Sequence, residues 1–67
     1  MQEVNKIKGY RIMTGLSQED MAAKLNMSAR TYARKESNVN NFNVKEVKAL
    51  IKVLAEHNVN VTVNDLI

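Results

Sequence analysis

The chain contains no cysteine, no proline and no tryptophan, and it has only two glycines and three other aromatic residues, two tyrosines and one phenylalanine. Each absence excludes something. Without thiols there is neither a disulfide framework nor a thiolate metal site. The two glycines, Gly9 and Gly15, are isolated and form no glycine-rich phosphate loop. The one histidine, His57, stands near a helix end, where its charge would suit the helix dipole better than catalysis. No paired carboxylates and no Ser/His/Asp set sit in a supporting motif, so the expectation is no enzyme, no metal and no cofactor. No apolar run exceeds three residues. A membrane-spanning helix needs about 18 or more, and a secretory signal about 7–15. The expected setting is the cytoplasm.

Hydrophobic residues make up 45% of the 67 positions and charged residues 25%. That balance fits one globular domain over residues 1–67, with a modest core. The net charge is +3 and the pI about 9.5, which alone says little about partners. Placement says more. Residues 28–35 hold Arg30, Arg34 and Lys35 and no acid, while the acids stand at Glu3, Glu19, Asp20, Glu36, Glu46, Glu56 and Asp65. A polyanion responds to such local concentration of charge.

The basic segment lies inside the most informative stretch, Ser17 to Glu36. Ser17 is a good N-cap, and Asp20 three places on can close a capping box. Met21, Ala22 and Leu25 recur at helical spacing. Asn26 then tolerates the left-handed conformation that ends a helix. Ser28 caps a second helix over 29–35. Two short helices joined by a tight turn, the second one basic, have the form of a helix-turn-helix DNA reader spanning 17–36.

The remaining chain predicts two or three more helices. The first runs from about Glu3 to Met13, with Val4, Ile7, Tyr10 and Arg11 on one face, Gly15 ending it and Leu16 turning inward. Gly9 within it costs about 1 kcal/mol relative to alanine, which a close helix crossing would explain. For Lys6 and Lys8 a solvated face is the better reading than non-specific attraction for DNA. Residues 37–43 form an asparagine-rich loop in which Asn38 is a candidate left-handed cap and Val39 and Phe42 tuck inward. Asn43 caps a further helix over 44–57 with Glu46 three places on. In that helix Val47, Leu50, Ile51 and Leu54 form the apolar stripe, and Lys45, Lys48 and Lys52 stay solvated. The tail leaves two alternatives. Val59, Val61 and Val63 alternate with polar residues as in a short strand, whose open edge would pair with a second copy. Alternatively, Thr62 caps a last helical turn over 63–67. The fold class is all-α, a compact bundle of four or five helices.

In its residues Arg11, Gly15, Leu16, Ser17, Gln18, Glu19, Met21, Ala22, Leu25, Met27, Ser28, Tyr32 and Glu36, in register over most of the chain, the sequence resembles the Cro/repressor-type (XRE-like) helix-turn-helix family of phage and bacterial transcriptional regulators. The resemblance implies a sequence-specific, double-stranded DNA-binding regulator of the Cro-like or minimal-repressor kind. It would bind a pseudo-palindromic operator as a homodimer, weak off DNA, and take no small-molecule ligand. It implies that Ser28, Ala29, Arg30 and Arg34 face base edges and that Gln18 clamps a phosphate near a helix N-terminus. Ser17 and Thr31 stand where further phosphate contacts would fall. It also implies a salt bridge between Arg11 and Glu36, and an Ala22 small enough for a close helix crossing.

Arginine suits base reading because its planar fork bonds O6 and N7 of guanine together. Tyr32 belongs to the core. Three positions depart from the family pattern. Asn26 replaces glycine. Lys35 replaces an apolar residue, its stem along the core edge and its ammonium in water. The 37–43 loop lacks the usual cations, leaving Asn38, Asn40, Asn41 and Asn43 to offer phosphates neutral hydrogen bonds. That uncharged loop keeps a second reading open, a helix-turn-helix module that docks a protein rather than DNA.

Overall fold

In the computed structural model, which describes residues 6–38 and 41–66, three residues with positive φ punctuate the chain: Gly15 (80°), Asn26 (58°) and Asn58 (64°). They end α1 (Lys6–Thr14), α2 (Gln18–Lys24) and α4 (Val44–Glu56); between the last two lies α3 (Ala29–Ser37), and a final turn forms α5 (Val63–Leu66). Both asparagines close the same terminator. After α2, the Asn26 N–H reaches the Ala23 carbonyl at 3.2 Å and the Met27 N–H the Ala22 carbonyl at 3.0 Å. After α4, the Asn58 N–H reaches Ala55 at 3.0 Å and the Val59 N–H reaches Leu54 at 2.9 Å. These are the paired bonds of a Schellman motif, with asparagine in the left-handed position. Val59 and Leu54, the positions at which this motif usually has its hydrophobic contact, are both buried in the core. At Gly15 the outer bond is relayed: the Leu16 N–H donates to the Thr14 hydroxyl, which donates to the Arg11 carbonyl.

The starts of α2 and α4 are equally local. The Ser17 hydroxyl accepts from the Asp20 N–H at 3.0 Å, and the Asp20 carboxylate accepts from the Ser17 N–H. Asn43 and Glu46 form the same reciprocal box on α4. The core collects Ile7 from α1, Met21 and Ala22 from α2, Tyr32 from α3, and Val47, Leu50, Val53 and Leu54 from α4, closed by Phe42, Val59 and Leu66. Ile51 is only half-buried, so the apolar face of α4 is centred nearer Val53 than the stripe suggested. Tyr32 and Phe42 meet as tilted rings 6.1 Å apart. Of all helix pairs, α2 and α3 pack most extensively, with buried Ala22 on α2.

The structure corrects three expectations and decides between the two readings of the tail. Gly9 is exposed and a Cβ there would meet nothing within 4 Å, so no helix crossing requires it. Gly9→Ala is therefore expected to stabilise the protein by about 1 kcal/mol, raising the melting temperature by roughly 4–8 °C in a thermal melt. Asn38 has φ −147° and ψ 110°, which is extended rather than left-handed. α3 runs on to Ser37 because the Asn38 N–H still reaches the Lys35 carbonyl. Of the two alternatives for the tail, the helical turn behind Thr62 is the one realised. The Thr62 N–H and hydroxyl both donate to the Asp65 carboxylate, which holds the first turn of α5 and leaves no strand edge there to pair. The third correction, at Lys35, is taken up with the site. Glu3, Val4, Val39, Asn40 and Ile67 lie outside the described residues.

Candidate nucleic-acid interface

The third helix is divided by its own period into two sides. Ser28 caps it, accepting from the Thr31 N–H at 3.1 Å and donating to the Thr31 hydroxyl at 2.9 Å. Ala29, Arg30 and Arg34 are exposed, and Thr31 is half-buried. Tyr32 and Glu36, four apart on the other side, are 0% and 2% exposed. The outward side is thus positive and free of acids, and the inward side is pinned.

The pin is a buried carboxylate with four donors. Arg11 Nε donates to Glu36 Oε2 at 2.8 Å and Arg11 Nη2 to Oε1 at 3.2 Å. The Tyr32 hydroxyl donates to Oε2 at 2.5 Å, and Gln18 Nε2 to Oε1 at 3.0 Å. The remaining end of the Arg11 fork, Nη1, donates to the Leu16 carbonyl at 2.8 Å. One residue therefore ties α1, the start of α2 and both ends of the inward face of α3. Burial alone pushes the Glu36 carboxyl upward. The hydrogen bonds from Arg11, Tyr32 and Gln18, with the charge of Arg11, outweigh it and hold the group below the ordinary carboxylate value. The Glu36 hydrogen bond raises Arg11 against its own desolvation. Burial first, then the Glu36 carboxylate, pushes the Tyr32 hydroxyl well above the normal phenol range. Among the described residues no buried side-chain polar atom lacks a partner.

The Arg11–Glu36 pair was implied by resemblance. Tyr32 on Glu36 is an i, i+4 pair that helix spacing could have revealed. Gln18 on Glu36 had no sequence signal, since 18 positions separate them.

Around the end of α3 a second set of contacts anchors the loop. Lys35 Nζ donates to Glu46 Oε1 at 2.8 Å and to the Asn41 carbonyl at 3.2 Å. Its ammonium is thus a cross-link from α3 to α4 and not simply solvated, correcting the expectation. Lys35 in turn holds Glu46 below the ordinary carboxylate value, helped by the Asn43 N–H. Asn41 Nδ2 donates to the Arg34 carbonyl at 3.3 Å. Asn38, Asn41 and Asn43 are all exposed. The backbone or side chains of Asn38, Asn41 and Asn43 also hold the described ends of the loop and the α4 cap beside the exposed face of α3.

A groove runs past the other end of that face. Arg30 and Ala29 line it with Ser17, Gln18, Glu19 and Lys8. Gln18 is half-buried, held from behind by Glu36 while it borders the groove. Among the described residues no group of histidines and acids could hold a metal ion, and no helix is long and apolar enough to cross a membrane.

Against known families, a model described as helix-turn-helix matches residues 7–57. No curated protein and no solved structure matches the chain.

Proposed function

The chain belongs to the Cro/repressor-type helix-turn-helix family, whose members are DNA-binding regulators, and from that premise we propose that it reads a specific duplex sequence with α3 in the major groove. The observation that carries this reading is the division of α3: Arg30 and Arg34 share the exposed side, while Tyr32 and Glu36 lock the other side into the core. A B-DNA major groove about 12 Å wide admits one helix presented in this way.

The proposed base-facing set is Ser28, Ala29, Arg30 and Arg34. Each arginine would take a guanine O6/N7 edge or an adjacent phosphate, and Ala29 a thymine methyl. The Ser28 hydroxyl already donates to Thr31, so its remaining capacity is to accept from a base amino group. Thr31, accepting from Ser28, keeps its own proton for a phosphate. Gln18, Ser17, Asn38, Asn41 and Asn43 complete the proposed phosphate contacts, which position the helix without reading sequence.

The proposed operator-bound form is a homodimer, and the dimensions are compatible with it. The long axis of one copy is 31 Å. Successive major grooves on one face of the duplex are about 34 Å apart. One copy cannot seat a reading helix in both, and two copies on a pseudo-palindrome can. Such an operator-bound dimer would act as a transcriptional regulator of the Cro-like or minimal-repressor kind.

The test is a gel shift with duplex DNA over a range of salt, followed by selection of bound sequences from a random pool. The reading predicts affinity falling with a log–log slope of about −0.9 per phosphate neutralised, and selected half-sites one helical turn apart. No retardation at low salt would instead favour the protein-docking alternative, which the uncharged 37–43 loop supports.

A further inference from the structure

We propose that Glu36, besides holding the fold, positions the Gln18 side chain for DNA, so that its amide nitrogen serves one phosphate. This rests on the DNA-reading assignment of α3 and on the phosphate contact proposed for Gln18, and it adds the residue that sets the geometry of that contact. Gln18 opens α2, half-buried, and lines the groove beside Arg30 and Ser17. Glu36 stands 18 positions away and is buried behind it.

Hydrogen-bond chemistry fixes which end of the amide turns inward. A glutamine side chain has one donating and one accepting end of nearly the same shape. Glu36 takes hydrogen bonds from Arg11, Tyr32 and Gln18, and its carboxyl is held below the ordinary value. It is therefore ionised at neutral pH and only accepts. The Gln18 carbonyl turned toward it would set two acceptors together. The nitrogen faces it instead, with Nε2 donating to Oε1 at 3.0 Å. That same Oε1 accepts from Arg11 Nη2 at 3.2 Å, so the anchor is itself fixed. Nε2 carries two hydrogens. One is spent on Glu36, and the second is left for a phosphate oxygen. A side chain held in place before binding loses less freedom on contact than a mobile one. The contact is neutral, so it releases no counterion. It touches no base, so base preference stays as it is.

The experiment is a double-mutant cycle read in gel shifts with one duplex at several salt concentrations. It compares the parent, Gln18→Met, Glu36→Gln, the two combined, and Arg30→Ala with Arg34→Ala as a control. Methionine keeps the length of the stem and removes the amide. Gln18→Met should weaken binding about three- to tenfold and leave the salt slope unchanged. In the Glu36→Gln background the inner partner both donates and accepts, so either end of the Gln18 amide can turn inward. There the same substitution should cost less than about twofold. A smaller folded fraction in Glu36→Gln lowers both members of that comparison alike, so the coupling is read apart from stability. Equal losses in the two backgrounds would overturn the positioning role. So would a Gln18→Met variant that binds like the parent; poor binding by the arginine control then leaves the α3 reading standing, and parental binding removes both. Should Glu36→Gln not fold, the side-chain amide resonances of Gln18 in the parent decide. One Nε2 hydrogen should be displaced from its unfolded-chain position in the free protein, and the other only when the duplex is added. Unfolded-chain positions for both hydrogens in the free protein would overturn the proposal.

Discussion

Glu36→Ala is expected to cost about 3–5 kcal/mol of stability and to lower the melting temperature by more than about 10 °C. The substitution removes the acceptor of four hydrogen bonds at once. It leaves the Arg11 side chain, only 10% exposed, without its counter-charge, and the fully buried Tyr32 without the carboxylate that accepts from its hydroxyl. Stranding a buried charge is what makes the loss large, because the desolvation cost stays while the attraction goes. For the same reason Arg11→Met combined with Glu36→Leu should recover part of the loss, since both charges leave the interior together. The pair also makes the fold sensitive to acid. The Glu36 carboxyl is held below its ordinary value, so the unfolded chain binds its proton at a higher pH than the folded chain. The stabilisation is therefore complete above the ordinary carboxylate range and is lost as pH falls through the folded value. Glu46 acts in the same direction, and more weakly because it is partly exposed. Thermal melts from neutral pH down to about pH 3 should fall more steeply for the parent than for Glu36→Gln. A Glu36→Ala melt equal to the parent's would remove the claim that this carboxylate holds the fold.

The second large effect falls on binding. The double substitution Arg30→Ala, Arg34→Ala should leave folding intact, because both side chains are exposed and alanine is the best helix former. Binding to the selected operator should weaken at least about thirtyfold, taking a guanine edge read by arginine as about 1–3 kcal/mol each. The singles divide the roles. A variant that loses discrimination at one base position has lost a base contact. One that weakens all sequences evenly and flattens the salt slope by about 0.9 has lost a phosphate. Operator occupancy equal to the parent's in the double variant, with an unchanged melt, would sink the proposed reading face.

The two experiments probe different sides of one helix. Glu36 is expected to act through stability with little change in base preference, and the arginines through binding with little change in stability. That separation is itself a consequence of the 3.6-residue period, which sends positions 30 and 34 outward while 32 and 36 go in.

Much of this architecture was legible because its instructions are local. Ser17 with Asp20, Ser28 with Thr31 and Asn43 with Glu46 each act across three residues, so the helix starts could be read from the order of residues alone. The left-handed Asn26 was equally readable, since asparagine tolerates that conformation. The exposed arginines and the buried Tyr32 followed from helical spacing within a motif. In the tail a local pattern had two solutions, and the sequence left both open. The alternating valines of the tail suit a strand. Val59 and Leu66 instead reach the core on either side of a turn that Asp65 holds, and helix formation follows.

What only the tertiary structure decided are the partnerships between elements. Gln18 meets Glu36 across 18 positions, and Lys35 meets Glu46 across 11. Neither follows from spacing, because each depends on how the helices cross. That crossing is set by the packing of the whole core around Ile7, Met21, Tyr32, Leu50 and Leu54. The order of residues determined where each helix begins, ends and turns its polar face; the assembled core determined which of those faces meet.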